Sequence, residues 1–205
     1  MSEKVKANAA TGNRMSARDR IFKTASDLFY HKGIRAVGVE TIAEQAHTTK
    51  MSLYRSFLSK DALVAEWLRQ HDVTFWQHWN EMLNQYPNDP RRQLSLIFGR
   101  IAEHVADPNL RGCPIANAAV ELTDPNHPAR KVIQEHKAQL RARLVQLCTK
   151  MAVSDPAALA DALFLLIEGA QASTQSLGPS GPGSSIARAA ETLIDAHLRK
   201  TKTGG

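Results

Sequence analysis

Val39-Glu40-Thr41-Ile42-Ala43-Glu44-Gln45-Ala46-His47-Thr48-Thr49-Lys50-Met51-Ser52-Leu53-Tyr54 carries two short helical patterns separated by a turn. Val39, Ile42, Ala43 and Ala46 fall on one face, and Glu40 lies in the first turn, where the positive end of the helix dipole favours an acid. His47 and Thr48 make the turn, and Thr49 can cap a third helix running through Tyr54. Two short helices with such a turn between them form a helix-turn-helix. Upstream, Ser16-Ala17-Arg18-Asp19 fits a capping box opening a first helix, with Ile21, Ala25, Leu28 and Phe29 on one side and Gly33 as a left-handed cap at its end. Downstream, Ser59 caps a fourth helix with Asp61 in its first turn. Leu63, Trp67, His71 and Phe75 then recur at four-residue steps, and the helix is expected to end near Leu83.

The same periodicity continues through the remaining residues, without sustained period-two alternation or Asn-Gly and Asp-Gly hairpin signals, so the fold class is all-α, with about nine helices. Pro90 precedes a fifth helix carrying Leu94, Ile97, Phe98, Ile101 and Val105. Pro114 suits the first position of a short sixth helix reaching Leu122. The seventh carries Val132, Ile133, Leu140, Leu144 and Leu147, and Asp155-Pro156 opens an Ala- and Leu-rich eighth. Leu177 to Ser184, with three glycines and two prolines, reads as a loop before a last helix with Ile186, Ala190, Leu193, Ile194 and His197. The expected organisation is a disordered tail at 1–15, a helix-turn-helix domain at 16–62, a ligand-binding and dimerisation domain at 63–200 and a disordered tail at 201–205.

The chain has 205 residues, enough to bury a core without disulfides, and its 26 Lys and Arg exceed its 20 Asp and Glu. The first sixty residues hold 11 of those cations against 5 acids, and the rest is balanced at 15 each. A basic module joined to a neutral body points to a polyanion as partner. The longest dense apolar run, Ala162 to Ile167, stops at Glu168, far short of a bilayer span. The N-terminus has no apolar leader, and two cysteines make no disulfide framework, so the expected location is the cytoplasm. There is no Walker lysine, Gly-x-Ser-x-Gly elbow, His-Glu-x-x-His or Cys-x-x-Cys. His78 and Glu81 stand one turn apart without a third ligand and read as a surface pair, so no metal, cofactor or enzyme activity is expected.

The passage from Arg18 to Leu63, with Ile42-Ala43, Leu53-Tyr54, Phe57 and Ser59-Lys60 at these spacings, resembles the DNA-binding half of the TetR family of bacterial transcriptional regulators. The helices that follow fit that family's ligand-binding and dimerisation body in number and order, and Gly112 to Glu121 looks like a segment of some of its branches. Gly38, His47, Thr48 and Met51 depart from the family's usual residues, and His47 is expected at positive φ. The resemblance implies a repressor that binds a palindromic double-stranded DNA operator as a homodimer and is released by a small molecule. The third helix then enters the major groove with Thr49, Lys50, Met51, Ser52 and Tyr54 toward DNA, Arg55 adds backbone contact, and Lys60 holds a phosphate.

For the body, the resemblance implies a pocket between helices for an apolar or aromatic effector, with Trp67, His71, Phe75, Phe98, Ile101, His104, Val105, Cys113 and Asn117 as candidate lining. Cys113, at the start of the sixth helix, leaves two readings open: a thiolate sensor favoured by the dipole, or an inert buried thiol. The dimer interface is expected from Leu159, Leu163, Leu166 and Ala170 of the eighth helix with Ile186, Ala190, Leu193 and Ile194 of the ninth. The competing reading is a helical enzyme or small-molecule carrier whose basic N-terminal helices are a non-specific scaffold.

Overall fold

The structure is a computed structural model that describes residues 15–202, with side chains to Leu198. Its described residues form α1 (Ala17–Lys32), α2 (Val39–Gln45), α3 (Lys50–Ser56), α4 (Lys60–Asn84), α5 (Pro90–Val105), α6 (Pro114–Glu121), α7 (Pro128–Lys150), α8 (Pro156–Leu177) and α9 (Ile186–Lys202). Most starts are set by one residue each. The side chains of Ser16, Thr49, Ser59, Asp89 and Asp155 each accept a backbone N–H from the first turn, and proline occupies the first turn of α5, α6, α7 and α8, where its missing N–H costs nothing.

Four local readings shift. Gly33 has φ 90° but ψ 151°, so α1 ends in an extended, glycine-favouring conformation and not in a left-handed helical one. α3 runs two residues beyond Tyr54. The stretch 177–184 is not all loop: Pro182–Ser185 closes one 3-10 turn, because Pro182 presets φ and Gly183 lies so close to α8 that a Cβ would come within 2.6 Å of Thr174 Oγ1. α9 continues to Lys202, past the expected limit at 200, while the rest of that tail, 203–205, and most of the N-terminal one, 1–14, lie outside the described residues.

Two apolar clusters make the core, and α4, about 37 Å long at 1.5 Å per residue, runs through both. The first joins α1, α2, α3 and the start of α4 to Ile115 and Ala118 of α6 and to Ala129, Val132 and Ile133 of α7. The second gathers Trp76 and Trp79 of α4 with α5, the end of α7, α8 and α9. The helix-turn-helix therefore shares its core with the body across residue 62.

Between the clusters lies a polar seam. Asp72 Oδ1 accepts from Trp76 Nε1 and pairs with His136 Nδ1, each at 2.7 Å, tying α4 to α7. The next residue on α7, Lys137, donates to Glu168 Oε1 of α8 at 2.5 Å.

Candidate nucleic-acid interface and effector cavity

α3 turns Leu53 into the core, and Phe57 follows it inward, so the intervening side chains face outward. Met51 is 64% exposed, Tyr54 45%, and Lys50, Thr49 and Arg55 stand open beside them. Thr49 Oγ1 accepts the Ser52 N–H and lies 3.0 Å from Ser52 Oγ, so both hydroxyls are fixed at the helix start. Lys50 Nζ donates to Glu40 Oε1 at 2.5 Å, a bond that favours the charged form of both groups. That pair is fully exposed, so a guanine or phosphate can take Lys50 from Glu40 at little cost. His47 adopts φ 48°, as the tight turn before α3 requires.

Lys60 is used differently from the expectation. Its Nζ donates inward to the Ile34 carbonyl at 2.6 Å, and partial burial pushes its pKa down. The ammonium thus holds the α1–α2 loop, with two of its three N–H groups left for a phosphate. Two features of this face had no sequence signal: Leu58, 93% exposed after α3, and Arg18, whose guanidinium lies 4.7 Å from the Phe57 ring centroid and bonds Glu66.

The expected effector residues divide among three spaces. A groove of 690 Å³ takes Trp67 and Asn117, and is walled otherwise by Phe29, Tyr30, Gly33 and Ile34 of the α1 region together with α6, α7 and α8. An inner cavity of 40 Å³ takes Phe75, Ile101 and Cys113. A side pocket of 330 Å³ takes His71 and His104, with Trp67 again. Phe98 and Val105 line none of these; at 1% and 0% exposed they are packing residues of α5. Sequence reasoning missed Arg111, Glu121, Lys137, Glu168 and Gln171, which carry the polar chemistry of the groove. The one signal was Glu168, an acid interrupting an apolar helix.

The groove wall also fastens head to body. Tyr30 Oη donates to the Gly112 carbonyl at 3.3 Å and accepts from Arg111 N–H at 3.0 Å, Arg111 Nη1 donates to the His31 carbonyl at 2.7 Å, and Glu121 Oε2 accepts from Arg35 N–H at 3.0 Å. Burial, with His136 and His104 nearby, lowers the His71 pKa to about 4, and burial likewise lowers that of His136 against the pull of Asp72. Burial pushes the Cys113 thiol up, outweighing the α6 amides and Lys137, which disfavours the thiolate-sensor reading. His78 and Glu81 are exposed, and no group of three metal-ligating side chains occurs among the described residues.

The expected dimer residues mostly face the wrong way. Leu159, Leu163, Ala170, Ile186, Ala190 and Ile194 are buried in the chain's own core, and Leu166 and Leu193 pack partly against it. The outward stripe of α8 is instead Ala158, Leu165, Gly169 and Ala172, beside a 220 Å³ apolar cleft reaching Ala189 of α9. No helix among the described residues is long and apolar enough to cross a membrane.

Residues 21–67 match the model for bacterial regulatory proteins of the tetR family, and residues 90–190 match the tetracyclin repressor-like C-terminal domain. A TetR-family transcriptional regulator from Streptomyces coelicolor is 27% identical, with 89% of this chain and 96% of that one aligned at a TM-score of 0.83. A TetR-type regulator from Streptomyces avermitilis is 30% identical, over 89% and 98% of the two chains, at 0.76. The HTH-type transcriptional regulator YjdC of Escherichia coli K12 is 23% identical over 154 residues, 74% of this chain and 80% of YjdC.

Proposed function

The chain belongs to the TetR family of transcriptional regulators, and from that premise we propose that it is a repressor that holds a palindromic operator as a homodimer and lets go when a small molecule fills the groove under α6. A DNA-binding regulator takes precedence over the enzyme or carrier reading, and it works in the cytoplasm, where its DNA lies. The observation that carries the release mechanism is that one groove is walled by both the head and the body. A ligand shifts an equilibrium only if it binds one arrangement better than the other. A molecule touching Phe29, Tyr30 and Ile34 on one side and α7 and α8 on the other meets that condition, because any movement of the head reshapes its site. α4, continuous from Lys60 to the Asp72–His136 pair, carries the movement.

In this reading Lys50 and Met51 read base edges, Thr49, Ser52, Tyr54 and Arg55 add neighbouring contacts, and Lys60 shares its ammonium between Ile34 and a phosphate. Two copies pair through the exposed stripe Ala158, Leu165, Gly169 and Ala172, whose small residues let two helices approach closely. Their two α3 helices then serve half-sites about 34–36 Å or a multiple apart.

The test is to capture genomic DNA fragments on the purified protein and sequence them. The expected result is enrichment of fragments sharing a palindrome, bound with an affinity that falls steeply with salt. Retention of random fragments only would refute specific operator binding.

A further inference from the structure

Trp79 is 1% exposed, and its Nε1 has no hydrogen-bond partner among the described residues; Gln171 Oε1, also buried, has none either. Both residues line the inner cavity of 40 Å³. Unpartnered polar atoms are costly in a protein interior, and two of opposite type at one cavity call for a common partner. Taking the groove as an effector site, as above, we propose that the effector is an uncharged molecule with an apolar, ring-containing body and a single group that both accepts and donates a hydrogen bond, seated between Trp79 Nε1 and Gln171 Oε1.

The requirements follow from the atoms. An indole N–H only donates and an amide oxygen only accepts, so the group between them has to accept from one and donate to the other, as a hydroxyl or a carboxamide does. At 40 Å³ the cavity suits such a head and is too small for a ring, since a cavity that holds benzene is about 150 Å³. Gln171, Lys137 and Glu168 line both the inner cavity and the groove, so the head and the body of one molecule occupy the two spaces across them. The groove offers Phe29, Trp67 and Phe164 to the body. A charge on the head is disfavoured by the Lys137–Glu168 pair: a carboxylate would compete with Glu168, an ammonium with Lys137, and either would leave a half-buried charge unpaired.

Calorimetric titration of the purified full chain with naphthalene, 2-methoxynaphthalene, 2-naphthol and 2-naphthoate separates these requirements. The expected order places 2-naphthol about tenfold tighter than naphthalene and than the methoxy compound, which accepts but cannot donate, with 2-naphthoate weakest. Trp79→Phe is expected to remove most of the naphthol-over-naphthalene preference, and Gln171→Leu the naphthol-over-methoxy preference. The wild-type series needs no variant, so the proposal stays testable if a substitution unfolds the chain. Equal binding of naphthol and naphthalene, or survival of both preferences in the variants, would overturn the assigned head site while leaving the groove as a binding site. Tightest binding by naphthoate would overturn the requirement for no charge. Binding of none of the four would remove the aromatic effector site and, with it, the reading of the groove on which the proposal rests.

Discussion

In the DNA-facing head, α3 and its flanks are fixed largely by bonds between near neighbours, Thr49 to Ser52, Ser59 to Ala62 and Met51 to Arg55, with Lys50–Glu40 and Lys60–Ile34, 10 and 26 positions apart, as the longer ties. In the body, the polar pairs that tie α7 to α4 and to α8 join residues far apart in sequence: Lys137 to Glu168 across 31 positions and Asp72 to His136 across 64. The head presents exposed groups on short helices backed by a core that it shares with α6 and α7, which suits docking into a groove of fixed shape. The body hides its polar groups between helices that must all be in place for the pairs to exist. A molecule inserted there disturbs several helices together, which makes the second region a sensor and the first a reader.

The largest effect separates inside from outside on α8. Leu163→Asp places a carboxylate at a fully buried position without a partner and is expected to cost about 4 kcal/mol or more, enough to unfold the body in a urea titration. Leu165→Asp, at a site 68% exposed, is expected to lower the urea midpoint only by the lost subunit association, to sediment as a monomer and to lose roughly 100-fold or more in operator affinity as the second head is detached. Equal instability of the two variants would break the assigned orientation of α8.

Acid is expected to act on the body before the head. His71 titrates near 4 when folded and near the ordinary 6.5 when unfolded, so the unfolded chain binds its proton first. The His71 contribution is therefore present above pH 6.5 and lost as pH falls from there toward 4, by roughly 2–3 kcal/mol over that window. Urea midpoints measured between pH 7 and pH 4.5 should fall less steeply in His71→Gln than in the wild type; parallel curves would place the acid sensitivity elsewhere.

Smaller effects resolve the head. Lys50→Ala is expected to cost about 1–3 kcal/mol on the cognate operator and little on random DNA. Lys60→Ala is expected to remove about 1 kcal/mol of stability through the Ile34 bond and to lower the salt slope by about one unit on every sequence. Tyr54→Phe tests one hydroxyl, with an expected loss of about 0.5–1.5 kcal/mol in binding assays. Equal losses on cognate and random DNA for Lys50→Ala would remove its base-reading role.

The head was legible in the sequence because its determinants are local. Ser16, Thr49 and Ser59 mark helix starts within four residues of the groups they bond, and His47 sits where a tight turn forces φ positive. The body was legible only as a helix count. α8 is apolar on more than one side, so periodicity could not show that Leu159 and Leu163 face the chain's own core while Leu165 faces out. The same limit put Phe98 and Val105 in the expected pocket, although α5 spends them on packing. The Lys137–Glu168 pair left no mark beyond an acid ending the apolar run of α8, because the pairing depends on α7 lying against α8, which no local pattern encodes. Cys113 likewise read as a possible thiolate from its helix-start position, whereas its burial depends on helices distant in sequence.

If the groove couples effector to operator, each ligand must weaken the other by the same factor. Affinity for 2-naphthol would be measured by calorimetry with the free protein and with protein saturated by an operator fragment recovered from genomic DNA, and operator affinity with and without saturating 2-naphthol. A coupling of 1–3 kcal/mol, about 5–150-fold, is expected, and the two factors must be equal. 2-Naphthol binding weakened by the operator to the same degree that 2-naphthol weakens operator binding is the predicted result; unchanged naphthol affinity on the operator complex would show that the groove and the DNA-binding helices are not coupled.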